Sequence, residues 1–238
     1  MDTKTRHALK KDSFAQATAS SVGWISGHRA GVMRWAIIVV VILVVVVGAL
    51  VYRNVREAAA DNALGAAMDT YSAPLAQPGA PQETGVYANA ADRSKAANQQ
   101  FQAVVQEYGW LPQAAKAHYF LGITDQEMGQ AGSAEAELKA AAGKWPWGDR
   151  NLSNLAKLAL AGIYHQTNRD AQAIEIYNAL AAKPSETVTA SVAKLDLADL
   201  YAAAGKQDQA RKLWAEVKDS DKAGAAGSIA AQKLGPKQ

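Results

Sequence analysis

The sequence predicts an all-α protein in which a single N-terminal transmembrane helix is followed by a solenoid of helical hairpins. Three observations lead to this fold class. An uncharged, strongly apolar stretch covers residues 35–52, and valine occupies eight of its 18 positions. The residues after it are rich in alanine, leucine, glutamine, glutamate and lysine, which favour helices, and they lack the alternation typical of strands. Finally, small and turn-forming residues recur at intervals of 39 and 37 residues, which indicates repeated hairpins.

Residues 35–52 are predicted to cross a membrane as one helix. Eighteen residues at 1.5 Å each reach about 27 Å, close to the roughly 30 Å thickness of the hydrocarbon core. Trp35 and Tyr52 lie at the two ends, where aromatic rings favour the headgroup region, and Arg34 and Arg53 bracket the stretch. A buried core helix and a cleaved signal peptide are the alternatives. The missing polar periodicity argues against the first, and the 34-residue leader argues against the second.

Charge predicts the orientation of this helix. The leader, residues 1–34, carries six Lys or Arg against two Asp, whereas the near flanks tie at two arginines each. The positive leader is therefore expected to stay in the cytoplasm, with residues 53–238 facing the periplasm or the exterior. The leader itself is predicted to be either an amphipathic helix on the inner leaflet or a flexible tail, and the sequence does not separate the two.

The part after the span divides at a Pro-rich segment. A helix is predicted over 54–71 as the continuation of the span. Residues 72–86 contain three prolines and two glycines and are predicted to form a loop. We therefore assign residues 53–90 to a membrane-proximal helix and Pro-rich loop, and residues 91–238 to a repeat domain.

Three hairpins are predicted in the repeat domain from one set of recurring positions. Each first helix has a small residue where its partner helix approaches, and each second helix has an alanine facing it. Each turn has a residue that tolerates the left-handed backbone conformation. The three kinds of position are Gly122, Ala161 and Ala198, then Ala134, Ala173 and Ala210, and then Gly129, Asn168 and Gly205. This arrangement is that of the tetratricopeptide repeat (TPR), except that Asp125 stands where the repeat has tyrosine.

Two flanking helices complete the predicted TPR-like array. Residues 97–108 are expected to form the second helix of a fourth, incomplete unit, whose first helix is the continuation at 54–71. Residues 223–234 are expected to form a capping helix, because the end unit of a repeat array has no neighbour to cover its apolar face.

Composition and motifs exclude most catalytic chemistry. The chain has no cysteine, and its four histidines, at 7, 28, 118 and 165, show no ligand-like spacing. It also lacks the nucleotide-binding, serine-hydrolase and zinc-protease motifs. Residues 57–238 carry 17 Lys or Arg against 20 Asp or Glu, so we expect no nucleic-acid binding. We also expect no enzyme activity, no catalytic residue, no cofactor, no metal and no small-molecule substrate.

The first helices of TPR hairpins line a concave groove, and the repeat register predicts which residues face it. A mixture of apolar and oppositely charged side chains there suits a bound peptide or helix. The alternative is that these residues are ordinary surface and core positions of a short array with a shallow groove. The predicted groove residues are Lys116, Tyr119, Ile123, Glu127, Leu158, His165, Gln166, Leu195 and Asp199.

Three more residues stand out outside this set. Trp145 and Trp147 are predicted on the loop between the first two hairpins, where they either staple neighbouring repeats or form an interface. His118 occupies a position where the repeat has a large packing residue, so we expect it to pack rather than to bind a metal.

The order of short leader, single span and hairpins ending in LADLYAAAGKQDQARKLWAEV resembles the YfgM-type TPR-like membrane proteins, which are ancillary subunits of the bacterial Sec translocon. The last hairpin, at residues 198–217, carries the strongest similarity. The resemblance implies a periplasmic scaffold beside SecYEG that contacts a PpiD-type membrane-anchored chaperone and assists the handling of secretory proteins. It implies no catalytic residues.

The sequence therefore predicts a membrane-anchored TPR scaffold that binds partner or client proteins near the Sec translocon. A TPR adaptor in another cell-envelope assembly or division complex is the alternative, and the sequence does not separate the two. An enzyme or sensor that holds a small ligand in the groove is a third hypothesis, which the lack of convergent polar groups disfavours.

Overall fold

The computed structural model describes residues 29–76, 85–143 and 149–235. Within these ranges the chain is helical apart from turns and one isolated β-bridge, which confirms the all-α class. The helices in chain order are α1 (Arg29–Tyr71), α2 (Ala90–Tyr108), α3 (Pro112–Glu127), α4 (Ala131–Ala142), α5 (Arg150–Gln166), α6 (Asp170–Ala182), α7 (Ala190–Ala203), α8 (Gln207–Ser220) and α9 (Ala225–Leu234). The conformation of the leader up to residue 28 and the roles of Trp145 and Trp147 lie outside the described residues.

The first part of α1 is apolar and exposed. The stretch Met33–Tyr71 contains an 18-residue window with a mean hydropathy of 3.1, and none of that window is buried. The apolar residues of a core helix in a soluble protein are mostly buried, so this stretch does not behave as one. Among the described residues, α1 is the one helix long and apolar enough to cross a membrane, and the predicted span at 35–52 lies within it.

The chain forms two compact units, Met1–Val55 and Arg56–Gln238. In the second unit, the end of α1 packs on α2 as the first helix of a hairpin, as the sequence predicts. The buried residues of this contact are Ala60, Leu64 and Ala67 on α1 and Ala97, Phe101, Val104 and Tyr108 on α2. The domain boundary at residue 91 stays a prediction.

Helix α2 begins earlier than predicted because a polar side chain caps it. The side-chain oxygen of Asn89 accepts a hydrogen bond at 2.9 Å from the backbone N–H of Asp92, which satisfies a donor of the first turn. The first turn of α2 therefore starts at Ala90. Before the cap, a β-bridge between Leu75 and Tyr87 closes the base of the Pro-rich loop.

The turns inside the three hairpins form as predicted. Gly129, Asn168 and Gly205 have φ angles of 75°, 58° and 75°, which is the left-handed region. The residue after each of them donates its backbone N–H to the carbonyl five positions earlier, as Gln130 does to Asp125 at 2.8 Å. This hydrogen bond ends the first helix of each hairpin and directs the chain into the second.

Small residues allow the two helices of each hairpin to approach closely. A Cβ atom at Gly122 would lie 2.5 Å from Cγ of Leu138, so any larger residue would clash with the Leu138 side chain of α4. Ala161 and Ala198, at the equivalent positions, are fully buried, and so are the facing alanines of α4, α6 and α8. The predicted packing positions are therefore confirmed.

Helix α9 covers the apolar face of the last hairpin. Ala226 and Ala230 on α9 form one buried cluster with Trp214 and Val217 on α8. The helix runs from Ala225 to Leu234, close to the predicted capping helix. It serves the purpose expected of a terminal cap, because it removes this face from water.

Candidate partner-binding surface

Equivalent positions on α3, α5 and α7 form rows across the first helices of the hairpins, and one row consists of Tyr119, Leu158 and Leu195. Tyr119 and Leu158 are half-buried and pack against a core cluster that extends from α4 to α7, and burial raises the pKa of Tyr119. Leu195 is buried in a cluster with Trp214. This predicted groove row therefore contributes to packing between helices, and its contact with a partner stays a prediction.

A second row consists of Ile123, Gly162 and Asp199. Ile123 is half-buried, and a Cβ atom built on Gly162 has no heavy atom within 4 Å apart from its chain neighbours and the backbone of its own helix. Asp199 accepts a hydrogen bond from Nε1 of Trp214 at 3.0 Å and pairs with Nζ of Lys233 at 2.9 Å. The row is thus open at its middle and closed at its α7 end by side chains of α8 and α9.

A third row includes Glu127 and Gln166. Glu127 accepts hydrogen bonds from the hydroxyl of Tyr71, at 2.8 Å, and from Oγ of Ser94. Burial, together with the Glu127 carboxylate, raises the pKa of Tyr71 to about 12, so this hydroxyl remains a donor. The carboxylate of Glu127 therefore binds α1 and α2, whereas Gln166 is exposed at the end of α5.

Two predicted groove residues outside these rows carry cationic or titratable groups. Lys116 is exposed near the start of α3. His165 is half-buried, and its Nδ1 lies 2.7 Å from Oδ1 of Asp170. This pair connects the end of α5 to the start of α6 across the turn at Asn168, so the imidazole already has a carboxylate partner within its own hairpin.

Hairpins with left-handed turns, small residues at the helix crossings and a terminal cap are the features of a tetratricopeptide array. A family model described as a tetratricopeptide repeat-like domain matches residues 33–235. The chain belongs to this family. A comparison with curated proteins gives no match. TPR-like arrays present extended surfaces for binding other proteins, so the family supports a role in protein–protein interaction.

The predicted anchor residues of this TPR-like protein are all exposed on α1. Trp35 is 70% exposed and Tyr52 is 59% exposed, one at each end of the apolar stretch. Arg34 and Arg53 stand next to them and are exposed as well. These positions suit the headgroup region on either side of a membrane, and their role as anchors stays a prediction.

The described residues of the TPR-like protein do not assemble a metal site, since no group of three or more His, Asp or Glu is placed to hold an ion. His118, predicted to pack, is half-buried with its Nδ1 2.5 Å from Oε2 of Glu137. A cleft of about 550 Å³ lies at the start of α5, outside the predicted groove set. It is lined by Arg150, Asn151, Pro184, Ser185 and Glu186.

Gly162 is a position of the predicted groove that was not among the residues chosen from the sequence. It stands 39 residues after Ile123 and 37 before Asp199, so the repeat spacing places it in the same row as two residues that were selected. Residues were chosen from the sequence for the chemistry of their side chains, and glycine has no side chain. Its importance here comes from the space it leaves above the α5 backbone.

Proposed function

We propose that this TPR-like protein is a non-enzymatic scaffold, anchored in the bacterial inner membrane, that binds partner or client proteins near the Sec translocon. The TPR-like family and the exposed apolar part of α1 support the coarse form of this proposal. The resemblance of the leader, span and last hairpin to YfgM-type proteins supports the finer form. It implies SecYEG and a PpiD-type chaperone as partners and a periplasmic location for residues 53–238.

The open row position at Gly162 is the observation that carries the proposal. Leu158 lies one turn before Gly162 on α5, and Ile123 holds the position equivalent to Gly162 on α3, the neighbouring first helix, so we expect both to border the space above Gly162. An apolar side chain of a bound segment can enter there and contact both residues and the α5 backbone. Gln166, one turn further along α5, is exposed at the same surface and adds a hydrogen-bonding group.

Filling this space is expected to block partner binding without damaging the fold. Gly162→Leu should weaken binding of a copurified partner about tenfold or more, the equivalent of ~1.4 kcal/mol. Leucine favours helices over glycine, so the variant should melt no lower than the native protein. Gly132→Leu on α4 is the matched control, because Gly132 is also helical and its Cβ position also meets no atom within 4 Å. Equal binding by the two variants would contradict the groove proposal.

Photo-crosslinking in native membranes tests the identity of the partner. A crosslinker at the exposed Gln166 should give adducts to SecYEG, a PpiD-type chaperone or secretory chains, whereas one at the exposed Glu175 on α6 should not. Adducts from Gln166 to another envelope complex would move the function to assembly or division. Repeated absence of adducts from Gln166 would count against the groove itself.

A further inference from the structure

The turn between α2 and α3 presents a large aromatic residue on its outer side. Trp110 is 45% exposed, whereas the next residue, Leu111, is completely buried in the cluster that joins α1, α2 and α3. The turn is tight, since the backbone N–H of Leu111 donates to the carbonyl of Tyr108 at 2.8 Å. A Cβ at Gly109 would lie 2.8 Å from the carbonyl oxygen of Val105. The buried Leu111 and the tight backbone therefore hold Trp110 at the outside.

Contacts within the second compact unit place this turn at the Arg56 end of the hairpin. Arg56 donates to the side chain and to the backbone carbonyl of Glu107, both at 3.2 Å, and its guanidinium lies 4.6 Å from the ring centre of Tyr108. At the other end of the hairpin, the guanidinium of Arg93 lies 5.7 Å from the ring centre of Tyr71. The contacts run in opposite order along α1 and α2, so the two helices are antiparallel and α2 ends near Arg56. The turn at residues 109–111 comes directly after that end.

The chain limits how far Arg56 can lie from the predicted membrane span. Arg56 follows Tyr52, the last residue of the span, by four positions, and four residues reach at most about 14 Å even when fully extended. This limit holds for any arrangement of the two units. The headgroup region adds about 5 to 8 Å to each side of the hydrocarbon core, so a separation of at most about 14 Å allows the turn beside Arg56 to contact it.

The chemistry of the turn suits lipid headgroups. Residues 109–112 are Gly, Trp, Leu and Pro and carry no charge. Glu107, the acidic residue nearest to the turn in sequence, is paired with Arg56. Tryptophan is enriched in this region, because its ring is apolar and its indole N–H donates a hydrogen bond.

We propose that Trp110 inserts into the phospholipid headgroup region and gives Arg56–Gln238 a second point of attachment to the membrane beside α1. The proposal rests on the membrane anchoring stated under Proposed function. A second attachment restricts tilting of the hairpin array, and it therefore fixes which face of the array is presented to a partner in the membrane.

The lack of cysteine in the chain allows a direct test with single-cysteine variants of the full-length protein. Trp110→Cys, labelled with an environment-sensitive nitrobenzoxadiazole dye, is reconstituted into phosphatidylcholine–phosphatidylglycerol vesicles that contain doxyl-labelled lipid. Val45→Cys in the apolar stretch is the positive control. Gln130→Cys is the matched control, because it is exposed in the turn after α3, at the far end of that helix.

We expect the dye at 110 to lose most of its emission in doxyl-labelled vesicles, as at 45, while the dye at 130 keeps its emission. Quenching at 45 without quenching at 110 would overturn the Trp110 proposal and leave the anchor intact. An absence of quenching at 45 would overturn the anchor and the Trp110 proposal together.

A second measurement keeps the native residue and avoids any effect of the dye. In vesicles that contain brominated lipid, Trp110→Phe should reduce the quenched share of the total tryptophan emission relative to the native protein. Trp214→Phe, which removes a buried tryptophan on α8, should increase that share. If the quenched share is the same in Trp110→Phe as in the native protein, Trp110 does not contact lipid and the proposal is overturned. The same result is expected if Trp110 contacts a protein instead.

Discussion

Two carboxylates, Asp125 on α3 and Asp196 on α7, are removed from water to different extents, and their surroundings differ. Asp125 is 4% exposed, and its Oδ1 accepts a hydrogen bond at 2.7 Å from the side-chain amide of Asn98 on α2. Asp196 is half-buried at the junction of α6 and α7, where its charge acts on Tyr177 of α6. Burial, reinforced by the charge of Asp199, raises the pKa of Asp196 to about 6, although Lys233 opposes that rise.

The difference shows two ways in which a repeat junction can hold a carboxylate. Removing a carboxylate from water costs free energy unless a donor stabilises its charge or a proton neutralises it. At the α2–α3 junction the amide of Asn98 is such a donor at any pH. At the α6–α7 junction the carboxyl group of Asp196 holds its proton more tightly in the folded chain than in the unfolded chain. The charged form of Asp196 therefore weakens the second junction at neutral pH.

Removing the amide donor should produce the largest effect. Asn98→Ala leaves Asp125 buried without the hydrogen bond from α2, and we expect the free energy of unfolding to fall by about 2 to 3 kcal/mol. Thermal melting of the full-length protein in detergent, followed by helical circular dichroism at pH 7, measures this loss. Gln99→Ala, an exposed change on the same helix, should leave the melting temperature nearly unchanged. Equal losses in the two variants would show that the amide does not support Asp125.

The turns and the small packing positions could be predicted from the sequence because both recur at a fixed spacing. A left-handed turn and a close helix crossing each require particular residues at each repeat, such as Gly129 and Gly122, so three units give three independent matches. Local chemistry also explains the early start of α2, although the cap at Asn89 was not recognised.

The polar junctions could not be predicted, because their partners lie far apart in sequence and do not recur. Asn98 and Asp125 are separated by 27 positions, and the one signal was that Asp125 departs from the tyrosine of the repeat. Glu127 was predicted to face the groove from its register alone. The register carries no information about Tyr71 and Ser94, which bind its carboxylate from the preceding hairpin.

The second junction should become more stable when its carboxylate is neutralised. The pKa of Asp196 rises from 3.8 to about 6 on folding, so the stability linked to this group is greatest below pH 4 and falls as the pH rises through 6. Asp196→Asn should raise the free energy of unfolding at pH 7 by about 1 to 2 kcal/mol, after allowance for solvent screening of a half-buried group. Melting curves of the full-length protein between pH 5 and pH 7.5 should show a flatter pH dependence for the variant.

Asp208→Asn controls for the change in net charge, because Asp208 is exposed in the first turn of α8. This control should not flatten the pH dependence. If Asp196→Asn melts at or below the native temperature at pH 7, the Asp196 charge does not oppose folding. The two junctions would then not differ in the way proposed here.

A third carboxylate extends the comparison to a charge that is paired rather than buried. Hydrogen bonds from Arg169 at 2.7 Å and from Lys139 at 2.6 Å lower the pKa of Glu135 from 4.5 to about 2. The linked stability is therefore present above pH 4.5 and is lost as the pH falls toward 2. Glu135→Gln should cost about 1 kcal/mol at pH 7, because ion pairs near the surface contribute little.

Since Glu135 is protonated at low pH in both the folded and unfolded chain, the native protein and Glu135→Gln should approach the same melting temperature near pH 2. Glu175→Gln on α6 is the control for loss of a negative charge, because Glu175 is exposed, and it should match the native protein throughout. Melting of the full-length protein at pH 7, 4 and 2.5 distinguishes the possibilities. A difference between Glu135→Gln and the native protein that stays constant down to pH 2.5 would mean that the shape of the side chain, and not its charge, joins α4 to the turn at Arg169.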